Sequence, residues 1–173
     1  MALITGGARG IVNMVVSKYG KLGITVNNAA TIDDAKPIIL DNDVAELERV
    51  VRVNLIGPFL GTKHAARVMI PTRKGSIISI GSVSSSVGGI ATHAYTSSKH
   101  GIVGLTKNAA AELGKFSIRV NCLSTYFISN VSGTSSKSRR IDKEPWNLAR
   151  IELMNREAAE EMDLLMSPRF LKV

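Results

Sequence analysis

Leu3-Ile4-Thr5-Gly6-Gly7-Ala8-Arg9-Gly10-Ile11 opens the chain and sets the expected architecture. Its first three residues form a short apolar run, which is typical of a buried strand. The glycines that follow would let the backbone turn sharply and approach a pyrophosphate, and a helix beginning there would offer amide groups and its positive dipole end. Glycines also serve in ordinary turns, so this motif alone indicates either a dinucleotide site or a simple turn.

Strand-like and helix-like stretches alternate along the next hundred residues. Four short β-branched runs predict strands, at Leu3–Thr5, Ile24–Val26, Ile77–Ile80 and Ile118–Val120. Apolar residues at helical spacing predict helices over 43–69 and 94–116. This alternation predicts an α/β fold, in which a parallel sheet is connected by right-handed crossovers.

Local signals define the ends and irregularities of the two helices. Asp41 or Asn42 is expected to cap the first helix, and Pro58 within it predicts a kink. The spacing places Val44, Val50 and Phe59 on one apolar face with Leu47, Val51 and Leu55. Gly114 is expected to help end the second helix.

The polar stretch 132–140 predicts a change of organisation beyond the sheet. We expect a domain over 1–130, a polar linker over 131–144 and a helical tail over 145–173. The net charge is +8, of which residues 1–130 contribute +7 (14 Lys/Arg and 7 Asp/Glu). These basic residues are dispersed and lack interleaved aromatic residues, so we expect a solvated surface and no nucleic-acid partner.

Composition also restricts the location and the metal chemistry. No apolar run is long enough to span a bilayer, and no basic secretory leader precedes Leu3, so we expect a soluble, cytoplasmic protein without a membrane partner. The only cysteine, Cys122, excludes an intramolecular disulfide and argues against a structural zinc site. We therefore expect no metal.

A second chemical motif is Tyr95-Thr96-Ser97-Ser98-Lys99. The four-residue spacing places the Tyr95 hydroxyl and the Lys99 ammonium on one helix face, where the cation would favour an ionised phenol suited to general acid/base work. A chance surface pair is the alternative. Upstream, Ser82 and its neighbouring serines directly follow a predicted strand, where a hydroxyl could bind a substrate oxygen or simply form a polar turn.

Taken in order, these motifs resemble those of the short-chain dehydrogenase/reductase family. Residues 5–11 resemble its glycine-rich cofactor turn, Asn27-Asn28-Ala29-Ala30 resembles its NNAG motif, and Asn54, Ser82, Tyr95 and Lys99 match its catalytic residues. The stretch 60–69 is similar to plant alcohol dehydrogenases of secondary metabolism. The resemblance implies that the following residues bind a nicotinamide cofactor: Gly6, Arg9, Gly10, Ile11, Asn28, Ala29, Tyr95 and Lys99.

The resemblance also implies a mechanism. Tyr95 would exchange a proton with the oxygen of a secondary alcohol or ketone, Lys99 would assist it and bind the nicotinamide ribose, and Ser82 would orient the carbonyl. Asn54 would hold a water that links Lys99 to solvent. The cofactor would be NAD or NADP, with NAD favoured. The chain would form a homo-oligomer through helices 43–69 and 94–116, as members of the family do.

The chain departs from the family between the glycine turn and the NNAG-like strand. The family's second and third strands have no counterpart there, and its C-terminal strand is not recognisable, so we expect a shortened Rossmann-like, doubly wound sheet in the order one-four-five-six with helices on both faces. Asp33 and Asp34 are interpreted as loop or capping residues. Val12 and Ala30 replace motif glycines, and we expect weakened cofactor binding. The alternative to an oxidoreductase is therefore an inactive, truncated member that retains only helix-mediated association.

Overall fold

The protein is described here by a computed structural model covering residues 3–5, 9–36 and 38–125. The chain divides into two units, Met1–Ser124 and Thr125–Val173. The described residues, apart from Thr125, belong to the first unit. The predicted linker 131–144 and tail 145–173 lie outside the described residues, so this domain division stays a prediction.

Four parallel strands form one sheet. They are β1 (Leu3–Thr5), β2 (Ile24–Asn27), β3 (Gly75–Ile80) and β4 (Ile118–Leu123), adjacent in the order β1-β2-β3-β4. Four α-helices accompany them within the described residues: α1 (Arg9–Tyr19), α2 (Val44–Val51), α3 (Gly57–Met69) and α4 (His93–Leu113). The predicted α/β class and the predicted strand order are confirmed, because the NNAG-like strand pairs directly with the first strand.

The helices α1, α3 and α4 pack on the same face of the sheet. Val12 of α1, Met69 of α3 and Leu113 of α4 share a single core with Ile77 and Val120 from the sheet. Each connection steps in the same direction along the sheet, and right-handed crossovers then place every helix on the same side. The expectation of helices on both faces is therefore not met within the described residues, although the parallel α/β architecture is as predicted.

The predicted helix 43–69 is one continuous helical run with an irregular middle. Asp43 caps it, since Asp43 Oδ1 accepts a hydrogen bond from Ala45 N at 2.9 Å, so the predicted cap at Asp41 or Asn42 is wrong by one or two residues. Between α2 and α3, Arg52–Ile56 forms a π-helical turn. The helical run thus widens immediately before Pro58.

Proline chemistry explains this wide turn. Pro58 has no N–H, so the carbonyl of Asn54 lacks the donor that residue 58 would otherwise supply. The N–H of Gly57 instead reaches back five residues to the carbonyl of Arg52. The irregularity predicted at Pro58 therefore takes the form of a π turn, of the kind often found at functional sites.

The second predicted helix, 94–116, has an α-helical part and an irregular end. Gly114 keeps a right-handed conformation (φ −55°), and a short 3-10 turn follows over Gly114–Phe116. Ser117 then adopts the left-handed conformation (φ 58°) that terminates the run. Gly114 is thus the C-cap residue of α4, as predicted, although the left-handed conformation is adopted by Ser117, three residues later.

The apolar face predicted for helix 43–69 is only partly buried. Val50 is fully buried, whereas Val44 is 68% exposed and Phe59 is 49% exposed. The π turn and the length of the run separate these positions around the helix. Apolar side chains therefore remain exposed along this run. Among the described residues, no helix combines the length and the apolar composition that a membrane span requires.

The Asn27 side chain joins β2 to its neighbours. Asn27 Nδ2 lies 3.4 Å from the Pro58 carbonyl and 3.2 Å from both Thr62 Oγ1 and Ser79 Oγ, which are all buried acceptors. Gly61 leaves the space for this amide, because a methyl group there would overlap Asn27 Oδ1 and lie 3.2 Å from its Cγ. The packing of α3 on the sheet therefore depends on this glycine.

We predict that Gly61→Ala destabilises the protein by about 2 kcal/mol, because the displaced amide leaves buried acceptors without a donor. The measurement is the free energy of unfolding in urea. Gly104→Ala is the matched control, since a methyl group at Gly104 meets no atom within 4 Å. That helical substitution should stabilise by about 0.5–1 kcal/mol. Equal changes in the free energy of unfolding for the two substitutions would contradict the role given to Gly61.

Candidate active site

The predicted site residues gather where the strands end. Strands β2, β3 and β4 end at Asn27, Ile80 and Leu123, and their parallel pairing brings the following loops to one edge of the sheet. This edge is where open α/β sheets bind ligands. Asn28 follows β2 directly, and Ser82 follows β3 by two residues.

Lys99 is buried at this edge, with 3% of its surface exposed. Its Nζ donates a hydrogen bond to the Ile80 carbonyl at 2.8 Å and lies 5.4 Å from the centre of the Tyr95 ring. Burial lowers the pKa of Lys99, and the nearby Cys122 thiol opposes that shift. The predicted placement of Tyr95 and Lys99 on one helix face therefore holds, and Lys99 has further donor positions beyond the one used by Ile80.

Asn54 lies in the π turn and connects three parts of the site. Its Oδ1 accepts from Thr31 N at 2.8 Å, and its Nδ2 donates to Thr31 O at 2.9 Å. The same nitrogen is 3.1 Å from Ser98 Oγ, and that hydroxyl donates to the Tyr95 carbonyl at 2.7 Å. Asn54 thus ties the loop after β2 to the helix turn that carries Tyr95 and Lys99.

Ser82 caps the short 3-10 helix Val83–Ser85. Its Oγ accepts from Ser84 N at 3.2 Å, and its own N–H donates to Ser85 Oγ at 3.1 Å. Ser82 Oγ is also 3.3 Å from Ser84 Oγ. The serine cluster is therefore a buried capping turn in the described structure, placed next to the carbonyl that Lys99 binds.

The described cofactor residues predicted outside α4 lie in the first turn of α1 and in the loop after β2. Gly10 and Ile11 are exposed in the first turn of α1, and Asn28 and Ala29 are exposed after β2. Arg9 begins α1, and Gly6 lies outside the described residues. Strands β1 and β2 pair in parallel, so their carboxyl ends are neighbours at this edge of the sheet.

Several contacts at this edge have no signal in the sequence. The backbone of Thr31 forms hydrogen bonds with the Asn54 side chain, yet by sequence Thr31 is an ordinary loop residue. Asp33 is buried and accepts a hydrogen bond from Thr92 Oγ1, so its interpretation as a loop or capping residue misses a contact between distant segments. Ser98 lies inside the quoted Tyr95–Lys99 motif, and its intervening position could have drawn attention to it.

Cys122 lies beside this cluster near the end of β4. Burial raises the pKa of its thiol, while the Lys99 ammonium opposes the shift. The thiol is free of any disulfide. Across residues 3–5, 9–36 and 38–125, no group of three or more His, Cys, Asp or Glu side chains could hold a metal ion.

We predict that Lys99→Met raises the free energy of unfolding at pH 7, because the charged ammonium is costly to bury. The folded pKa of Lys99 lies below its unfolded value, so the unfolded state binds more protons between the two values. The stability of the unmodified chain should therefore rise with pH through this window, and the advantage of Lys99→Met should shrink as pH approaches about 10.4.

Urea unfolding of both proteins between pH 6 and pH 10 measures this difference. The donor lost to the Ile80 carbonyl adds a pH-independent cost, so the slope with pH is the decisive quantity. Lys107→Met, at an exposed position on the same helix, is the control and should show no such slope. A Lys99→Met difference that is constant with pH would contradict the prediction.

Known proteins resemble this arrangement over most of the chain. The family model described as enoyl-(acyl carrier protein) reductase matches residues 6–168. Secoisolariciresinol dehydrogenase of Forsythia intermedia is 49% identical over 80% of this chain and 50% of its own length. The (+)-borneol dehydrogenase 2 of Salvia officinalis is 44% identical over 90% of this chain and 59% of its own length.

Solved structures share the fold. An NAD+-bound xylitol dehydrogenase superposes with a TM-score of 0.68 at 31% identity, over 76% of this chain and 49% of that protein. ElxO with NADP bound gives a TM-score of 0.67 at 26% identity, over 78% of this chain and 52% of that protein. The chain thus spans about half the length of the relatives that it matches. It belongs to the short-chain dehydrogenase/reductase family.

Proposed function

We propose that this oxidoreductase interconverts a secondary alcohol and a ketone with a nicotinamide cofactor, NAD being favoured over NADP. The observation that carries the proposal is the buried Lys99 ammonium, held 2.8 Å from the Ile80 carbonyl with the Tyr95 ring 5.4 Å away. A buried cation without a carboxylate among its described contacts is costly, and such costs are typical of functional sites.

Each residue has a separable role in this proposal. Tyr95 exchanges a proton with the substrate oxygen, and the Lys99 ammonium stabilises the phenolate that results. Ser82 orients the substrate oxygen at the end of β3. Thr31 and Ser98 already occupy the side-chain amide of Asn54. The backbone carbonyl of Asn54 is left to bind a water, because Pro58 has no N–H to donate to it.

The residues at this edge fit a nicotinamide cofactor. Lys99 uses one donor on the Ile80 carbonyl, and its remaining donors suit ribose hydroxyls. Asn28 and Ala29 are exposed at the neighbouring strand end. The cofactor supplies the hydride chemistry when bound, and the protein supplies orientation and proton exchange. The cytoplasmic location predicted from the sequence stays a prediction.

Titration of the full chain with NAD+ and NADP+ in a calorimeter tests the cofactor, and borneol is the probe alcohol because a relative is named a borneol dehydrogenase. We predict that Tyr95→Phe lowers the rate of borneol oxidation by about 100-fold or more, because it removes the proton-exchanging group.

Tyr19→Phe is the control, because Tyr19 is an exposed tyrosine at the end of α1. It should retain full activity. A Tyr95→Phe protein as active as the unmodified chain would contradict the proposed role. Absence of both cofactor binding and turnover in the folded, unmodified chain would favour the second candidate function instead.

The second candidate is an inactive member of the family that acts only by association through its helices. Two observations favour it. The chain spans about half the length of its relatives. The run from α2 to α3 also exposes apolar side chains at Val44, Leu47, Ile56, Phe59 and Leu60.

The charges on this helical run suit binding to a second copy of the chain, whether the chain is an active enzyme or an inactive member of the family. Asp43, Glu46 and Glu48 lie at its beginning, whereas Arg49, Arg52, Lys63 and Arg67 follow. Two copies packed antiparallel about a two-fold axis would place the acidic half of each against the basic half of the other. We therefore propose a homo-oligomer through helices 43–69 and 94–116.

Charge reversal tests this association. We predict that Lys63→Glu with Arg67→Glu lowers the molar mass measured by light scattering at low salt, because like charges then face each other. Adding Glu46→Lys and Glu48→Lys should restore the oligomer. Lys18→Glu with Lys21→Glu makes the same charge change near the end of α1 and should leave the mass unchanged. A monomeric unmodified chain would refute the association.

A further inference from the structure

A hydrogen bond between Asp33 and Thr92 joins two loops that are 59 residues apart in the sequence. Thr92 Oγ1 donates to Asp33 Oδ1. Asp33 is only 8% exposed, whereas its neighbour Ile32 is 68% exposed. A carboxylate buried within an otherwise exposed loop is costly unless a specific partner compensates it. The described contacts identify Thr92 as that partner.

Thr92 is also the N-cap residue of α4. A threonine at this position ordinarily accepts a hydrogen bond from an amide of the first turn, which is worth about 1 kcal/mol. Here the Thr92 side chain makes no capping bond. Its hydroxyl is turned toward Asp33 instead, and the carboxylate lies near the positive end of the helix. The helix therefore lacks the stabilisation of a side-chain cap, and Thr92 forms a long-range hydrogen bond instead.

The segment Thr31–Asp33 is held from two other directions. Asn54 bonds both backbone groups of Thr31, as described above. Arg49 donates from Nη2 to the Ile32 carbonyl at 2.8 Å and from Nη1 to Thr31 Oγ1 at 3.0 Å. Asp33 therefore follows a backbone segment that hydrogen bonds hold in place. The hydrogen bond from Thr92 to Asp33 consequently fixes the position of Thr92.

We propose that Asp33 is a positioning residue, which acts through Thr92 to place the first turn of α4, and with it Tyr95, against the loop after β2. Tyr95 follows Thr92 by three residues, one turn along the same helix. The inference rests on the proposed function, in which the Tyr95 hydroxyl exchanges a proton with the substrate. Asp33 itself touches neither substrate nor cofactor in this proposal.

Two pairs of variants test it, with borneol and NAD+ as probes. Thr92→Val removes the donor and Asp33→Leu removes the acceptor, each with little change in side-chain size. Thr92→Ser keeps the donor hydroxyl, and Asp33→Asn keeps an acceptor oxygen. We expect kcat to fall about 10- to 100-fold in the first pair, since misplacing a reacting group costs that much. KM for NAD+ should stay nearly unchanged because Lys99 is held separately by Ile80, and the second pair should retain activity.

The double variant Asp33→Leu with Thr92→Val should be no slower than either single variant, because both remove the same bond. The inference is overturned if kcat is unaffected in Thr92→Val, if Thr92→Ser falls as far as Thr92→Val, or if the two losses simply add. A lower melting temperature without a kcat effect would show a merely structural bond, which also overturns it.

Failure of the proposed function is separable from failure of this inference. If the unmodified chain does not oxidise borneol, the proposed chemistry fails for that probe, and amide hydrogen exchange of residues 93–96 becomes the readout. If the Asp33–Thr92 hydrogen bond positions the first turn of α4, exchange must be faster in Thr92→Val and Asp33→Leu than in Thr92→Ser and Asp33→Asn. Equal exchange in all four variants would overturn the inference without reference to activity.

Discussion

The side-chain amide of Asn54 bonds both backbone groups of Thr31, much as a neighbouring strand would. The rest of the site depends on this contact, because it fixes the loop after β2 against the helical run that ends in α3. The π turn presents Asn54 in this orientation, and Pro58 accounts for the missing α-helical bond there. Ser98 then extends the same network to the Tyr95 carbonyl.

A second constraint is the burial of polar groups at the strand ends. Lys99, Asn54 and Ser82 are all buried, yet each has a hydrogen-bond partner among the described residues. A network of this kind is rigid when it is fully satisfied. For Lys99 the rigidity comes at a cost in stability, since its pKa is lowered by burial. Functional sites commonly carry such local costs, which the surrounding core must offset.

The regular elements and their order could be predicted from residue patterns. All four strands were predicted within three residues of their ends, and Tyr95 and Lys99 were predicted to share a helix face, because both follow from local periodicity. Helix boundaries were less predictable. The cap at Asp43 and the left-handed Ser117 depend on backbone conformations that several neighbouring residues could equally adopt.

By itself, then, the sequence determined the α/β class and the pairing of Tyr95 with Lys99, because both follow from local periodicity, while the strand order was implied by the resemblance to the short-chain dehydrogenase/reductase family. Only the tertiary structure decided that Asn54 holds Thr31 and that Thr92 binds Asp33 rather than capping its own helix. These contacts join segments far apart in the chain, and their partners are chosen by packing geometry, which no local pattern encodes.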